Sequence, residues 1–248
     1  MTTFPTEFPM ERGMRLRGLA MTRIEIFADA AFAFAVTLLV ISVGDVPRSF
    51  DEMVTALRSI PVFLFASAQV FLFWFAHRNW SRVYGLDDRP AVLLTLLLVV
   101  SLLVMVFPLR VMYAFGASNM TNGWVPEPFA LDPALWTDQI RVMFIMLGAS
   151  WAGLSGVVVT MFAYTLRHRD RLDLNDAELN NANRFIWVFS MLGLSGLSSI
   201  VIATTVPDDW VTLAGNQYFL LLLLVLVKRF KRIPWARPAK KAASEPTE

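Results

Sequence analysis

The sequence predicts an all-α, polytopic membrane protein with six transmembrane helices. Three observations predict it. Of 248 residues, 56% are hydrophobic and 17% charged, and the mean hydropathy is +0.54; soluble domains carry about a quarter charged residues. The apolar residues gather in nearly uncharged blocks, each near the ~20 residues that cross roughly 30 Å of hydrocarbon as a helix. The basic residues, in turn, fall almost entirely in alternate intervening segments. Cysteine is absent, which excludes disulfides, thiolate metal sites and a cysteine nucleophile.

The chain divides into an N-terminal segment (1–22), a membrane domain (23–227) and a basic tail (228–248). The opening stretch "MTTFPTEFPMERGMRLRG" has no apolar core, so no cleavable signal peptide is expected. The six spans are read at about 23–44, 57–77, 90–114, 139–166, 185–206 and 210–227. Pro47, Pro61, Pro90 and Pro207 fall near span ends, where a missing N–H is tolerated.

Orientation follows from the basic residues. The N-terminal segment with the span start has Arg12, Arg15, Arg17 and Arg23, and the loop after span 2 has Arg78, Arg82 and Arg89. The loop after span 4 has Arg167, Arg169, Arg171 and Arg184, and the tail has seven more from Lys228 to Lys241. Together these make 18 of the 22 Lys and Arg residues on one side. Both termini are therefore expected in the cytoplasm, with the protein in the inner (plasma) membrane. The tail "KRFKRIPWARPAKKAASEPTE" serves as a topology anchor and offers charge to anionic membrane lipids, worth about 1 kcal/mol per basic residue near the surface.

The first span begins with Thr22 and Glu25 at capping-box spacing. At about 100° per residue, Phe27, Ala30, Phe34, Leu38, Ile41 and Asp45 fall within about 40° of one line, and Thr37 about 60° from it. This stripe is open to lipid, to another helix or to a pore. Asp29 points about 140° away from Phe34. A charge at that depth costs about 2.5 kcal/mol or more against lipid, so Asp29 should find partners inside the protein. Trp74, His77 and Arg78 at the matching end of span 2 supply an indole N–H, an imidazole and a guanidinium. Asp29 is read as a structural hydrogen-bond anchor.

These two stretches carry a resemblance. Arg23, Phe27 and Asp29 resemble the R-x-x-x-F-S-D motif of the transmembrane protein 175 family, whose best-known member is the endosomal and lysosomal potassium channel. "FWFAHR" resembles that family's W-x-x-H-H element through Trp74 and His77, and "RPAVLLTLLLVVSLLVMVFPL" resembles its third span. The resemblance covers about the first 110 residues. It implies a cation channel of the bacterial single-repeat type, a homotetramer permeable to K+, with the first helix of each subunit lining the pore. It implies a constriction at Phe34, five positions after Asp29, with Ala30, Thr37, Leu38 and Ile41 on the pore wall. Asp45 is then a ring at the outer mouth. Ala28 replaces the motif serine, Arg78 the second histidine, and Phe34 the usual isoleucine or leucine.

No T-V-G-Y-G run occurs, so the architecture has no carbonyl selectivity filter. Asp51, Glu52, Glu127, Asp132, Asp138, Asp208 and Asp209 make the outer face acidic. An enzyme is not expected, because Asp29 has no second intramembrane carboxylate except Glu25 nearer the surface, and no acid–base or metal set accompanies it. No metal, cofactor or nucleic acid is expected; the partners are other copies of the chain and lipid. A small-solute transporter usually shows inverted repeats and broken helices; "GASWAGLSG" (148–156) and "GLSGLSS" (193–199) read instead as close-packing faces. A non-conducting membrane scaffold stays open on the residues alone.

Overall fold

The computed structural model describes residues 8–41 and 47–218. A two-stranded hairpin opens it, β1 (Met10–Glu11) pairing antiparallel with β2 (Met14–Arg15). Its two turn residues, Arg12 and Gly13, both have positive φ (53° and 80°), the backbone that matches the strands' twist in a tight hairpin. Among the described residues six α-helices are seen from end to end: α1 (Arg23–Ile41), α2 (Phe50–Arg58), α3 (Ile60–Tyr84), α4 (Arg89–Met120), α5 (Trp136–Arg167) and α6 (Asp176–Thr205). The fold class is all-α and membrane-spanning. Five stretches among the described residues are long and apolar enough to cross a bilayer: α1, the α2–α3 pair, Arg89–Val106 of α4, α5 and α6. The span read at 210–227 begins in described, helical residues (213–218), and its remainder lies outside them.

Local chemistry sets the helix ends. Thr22 and Glu25 close the box that starts α1: Glu25 Oε2 accepts the Thr22 N–H at 2.7 Å, and Thr22 Oγ1 accepts the Glu25 N–H at 3.4 Å. Ser49 caps α2 through the Glu52 N–H, and Asp88 caps α4 through the Ala91 N–H. Asn175 and Glu178 form a reciprocal capping box at the start of α6. The start of the stretch read as span 2 belongs to a separate amphipathic helix, α2, because Pro61, two residues past Ser59, cannot donate into a continuing ladder. Several helices outrun the stretches read as spans. α4 continues through Pro108 to Met120, and α6 begins nine residues before 185. Polar first and last turns do not register as hydropathy, so apolar length underestimates helix length.

The core is built where α3 crosses α1, α4, α5 and α6. Phe73, Trp80, Tyr84, Phe162 and Phe189 are its largest fully buried side chains, joined by Leu98, Leu102 and Leu154. α5 and α6 pack most closely. A Cβ on Gly148 would stand 2.5 Å from the Gly196 carbonyl oxygen, and one on Gly196 would stand 2.5 Å from the Gly148 oxygen. Only glycine permits that approach, and close backbone contact is what holds helices together where lipid supplies no hydrophobic contrast.

Candidate functional site

The site is built on α1, which presents two unlike faces. Ala28, Phe32, Ala35 and Leu39 are buried against the bundle, a 4-3-4 spacing that keeps one line of the helix inward. The opposite face is uncovered within the chain: Phe27, Phe34 and Ile41 are 52%, 55% and 64% exposed. Ala30, Ala33 and Thr37 are exposed between them. Leu38 sits at the edge of this face and packs partly on the core. Thr37 Oγ donates back to the Ala33 carbonyl at 3.1 Å, so its hydroxyl is satisfied without leaving the helix.

Asp29 lies between the two faces, half-buried, and the indole N–H of Trp74 donates to its Oδ1 at 2.8 Å. The Arg78 guanidinium stands over the Trp74 ring, 5.6 Å from its centroid, within the reach of a cation–π contact. His77 is buried next to this pair but bonds elsewhere: its Nε2 lies 3.3 Å from Thr95 Oγ1 on α4, and its ring faces Phe32 and Trp80. Arg23 stands exposed at the start of α1. The motif and stripe positions thus divide. Asp29 and Trp74 meet directly, His77 ties α3 to α4, and Phe27 shares the open face with Phe34. Asp45 lies outside the described residues.

A small cavity of about 220 Å³ lies beside Asp29, lined by Glu25, His77, Arg78 and Arg82 and, from the N-terminal segment, by Gly18, Leu19 and Met21. At the other end of the bundle a larger open cavity of about 1340 Å³ gathers Asp51, Glu52, Glu127 and Asp138 with Arg48 and Arg110. Asp208 is instead paired with Arg141 at 2.8 Å. No group of three or more His, Cys, Asp or Glu with metal-binding geometry occurs among the described residues.

Sequence reasoning missed Glu178. Its carboxylate is fully buried and holds both Arg15 and Arg17, two residues read only as topology anchors. The signal was present as the N-x-x-E spacing of Asn175 and Glu178 in "NDAELN". Also missed was Trp80, whose N–H donates to Thr165 Oγ1 and the Met161 carbonyl, pinning α3 to α5.

Membrane-length helices around a buried aromatic core, with one helix tied by a carboxylate and open on its other side, define a polytopic helical membrane protein. Residues 23–108, the stretch that carries all of these contacts except those to α5 and α6, match the family model described as endosomal/lysosomal potassium channel TMEM175. The chain is 27% identical over 231 residues to a protein of Marivirga tractuosa named "Potassium channel", covering 90% of this chain and 92% of that one. It superposes with a TM-score of 0.74 and 25% identity on a crystal structure of the potassium channel MtTMEM175, a threonine-to-alanine variant in complex with a nanobody–MBP fusion; 88% of this chain and 96% of that chain are covered. The chain is thus similar to TMEM175 channels in the sequence of residues 23–108 and in its fold.

Proposed function

We propose that the protein is a potassium channel that works as a homotetramer, four copies of α1 lining the pore and Phe34 forming the constriction. The observation that carries this reading is the open face of α1. In lipid an exposed apolar face carries no penalty, so exposure alone argues little. What argues for a helix-lined axis is the mixture on that face, with small Ala30, Ala33 and Thr37 between Phe27, Phe34 and Ile41. Small residues let helices approach, while the phenyl rings protrude between them. The tie from Trp74 to Asp29 holds the helix so that this face turns outward from its own bundle.

In this arrangement K+ crosses an apolar wall in place of a ring of carbonyl oxygens. Wetting of the narrow segment at Phe34 is the barrier, and ring faces tilted toward the axis attract a dehydrating cation. Asp45 belongs at the outer mouth. The carboxylates Asp51, Glu52, Glu127 and Asp138 concentrate cations there. The membrane is the cell membrane with both termini inside, a reading supported by the distribution of arginine and lysine.

The test is to measure mass and flux on one preparation. Native mass spectrometry of the purified protein should give four copies, and the same protein in liposomes should dissipate a K+ gradient. A monomer, or a tetramer without flux, would leave the scaffold reading in its place.

A further inference from the structure

We propose that Glu178 is a positioning residue: by holding Arg15 and Arg17 it docks residues 8–22 as a strap over the ends of α3 and α6, and the docked strap fixes the first turns of α1. Its consequence for conduction rests on the reading of α1 as the pore helix; its structural part does not.

An N3 glutamate in a capping box needs to accept only one backbone N–H. Glu178 does that, taking the Asn175 N–H on Oε2 at 3.0 Å. Yet its side chain is fully buried and receives five further bonds from a segment more than 160 residues away. Oε1 accepts the Arg15 backbone N–H at 2.8 Å, Arg15 Nε at 3.2 Å and Arg17 Nη1 at 3.1 Å. Oε2 accepts Arg17 Nη2 at 3.1 Å and Arg15 Nη2 at 3.2 Å. Forked guanidinium–carboxylate pairing fixes direction as well as distance.

The strap is seated along its length. Arg17 also donates to the carbonyls of Val83 and Leu172. The Leu16 side chain enters the core, and Asn175 Nδ2 donates to the Gly13 carbonyl at 3.0 Å. Tyr84, the last residue of α3, donates its hydroxyl to the Glu178 carbonyl at 2.9 Å, joining the two helix ends beneath the strap. The Gly18 N–H then bonds the Arg82 carbonyl at 3.1 Å, and a Cβ on Gly18 would lie 2.2 Å from the Ser81 oxygen. From Gly18 to Arg23 the chain spans at most about 18 Å. The start of α1 is therefore tethered to the ends of α3 and α6 by a short leash. The Trp74–Asp29 bond, one turn and a half further on, is the second tie on the same helix.

Hydrogen–deuterium exchange on the full-length protein in nanodiscs, with K+ flux on the same preparations in liposomes, tests this. Three variants act on different parts of the strap: Glu178→Gln, Arg17→Gln and Gly18→Val, the last lifting the strap without touching a charge. Each should raise exchange at residues 8–22 and at 23–30 by at least about tenfold, the factor that matches one lost charged hydrogen bond. Residues 136–167 should stay at the wild-type rate, and K+ flux should change in step. Faster exchange confined to 8–22 would overturn the claim that the strap positions α1. Unchanged exchange at 8–22 in Gly18→Val and Arg17→Gln would overturn the docking itself. Should Glu178→Gln fail to fold, those two variants still decide. Absence of flux from the wild type would sink the channel reading while exchange still judged the strap.

Discussion

The Trp74 indole N–H and the Asp29 carboxylate meet at 2.8 Å across the α1–α3 contact. Two carboxylates stand one turn apart near the start of α1, and they have different tasks. Glu25 closes the capping box on Thr22. Asp29, past the first turn, takes its donor from another helix. Placing a tryptophan there satisfies one carboxylate oxygen without importing a second charge, and the same ring carries the Arg78 guanidinium on its face. The bond therefore fixes both the spacing and the rotation of α1 against α3.

Asp29→Asn should impair folding or assembly more than ion ranking. A hydrogen bond to a charged group contributes about 1.5–3 kcal/mol. Trp74→Phe keeps the ring and removes only the donor, so it should lose a similar amount. Thermal unfolding followed by size-exclusion chromatography reads both. Normal assembly of Asp29→Asn with altered selectivity would move Asp29 from the frame to the pore.

Gly148 and Gly153 lie on one helix but should respond to alanine with opposite signs. At Gly148 the added methyl meets the Gly196 carbonyl oxygen and the Ile200 side chain at under 3 Å, so α5 and α6 must separate. At Gly153 nothing lies within 4 Å, and alanine there gains about 0.5–1 kcal/mol from reduced backbone freedom. Unfolding midpoints of the two variants should move down and up respectively. A Gly148→Ala protein as stable as wild type would mean the contact is looser than its geometry.

The fold class was legible because lipid imposes a strong rule: every spanning helix must be long and apolar. α1, with mean hydropathy 2.2 over its span, could not be anything else. The partnership of Asp29 with Trp74 was legible for the same reason, since a carboxylate at that depth needs a donor and span 2 supplied one at the right end. The docking of Arg15 and Arg17 was not legible. Arginines outside the membrane satisfy the orientation rule whether or not they are paired, so their number hides their contacts. Only the buried Glu178 reveals the pairing, and its N-x-x-E spacing with Asn175 marks a helix start, not a partner more than 160 residues away. The helix α2 was missed for the opposite reason: Asp51, Glu52 and Arg58 lie among Phe50, Met53 and Leu57, so it is too polar to register as a span.

Arg15 outside the membrane offers a check on charge. Its hydrogen bond to Asp173, with Glu178 behind, raises the guanidinium pKa above its ordinary value. Raised affinity for the proton means the strap's stabilisation is present throughout the neutral range and would be lost only above the guanidinium's own pKa. The arginine side of the strap therefore contributes no pH dependence between about pH 6 and 9, since guanidinium titrates above about 12. Exchange at residues 8–22, corrected for intrinsic rates, should be flat over that range in Glu178-intact protein. A sharp step there would show that another group governs the docking.

Phe34 carries the last prediction. It lies eleven residues beyond Arg23, about 16 Å along the helix and so near the middle of the hydrocarbon. It is 55% exposed on the face that also bears Ala30 and Thr37. Its neighbours on the buried side, Phe32 and Ala35, are packed against the bundle, so truncating Phe34 removes no intrachain core contact of comparable size. The cost to the monomer should be well below the 3–5 kcal/mol of a buried phenylalanine-to-alanine change. If four Phe34 rings narrow the pore, Phe34→Ala widens and wets it, raising K+ flux and loosening selection between cations. The effect should be large, because lowering a dewetting barrier by about 1.4 kcal/mol gives tenfold in rate. Phe32→Ala is the contrasting variant: it should destabilise the fold without opening the pore. Equal K+ flux from wild type and Phe34→Ala, at matched incorporation and oligomer size, would place Phe34 against lipid and remove it from the permeation path.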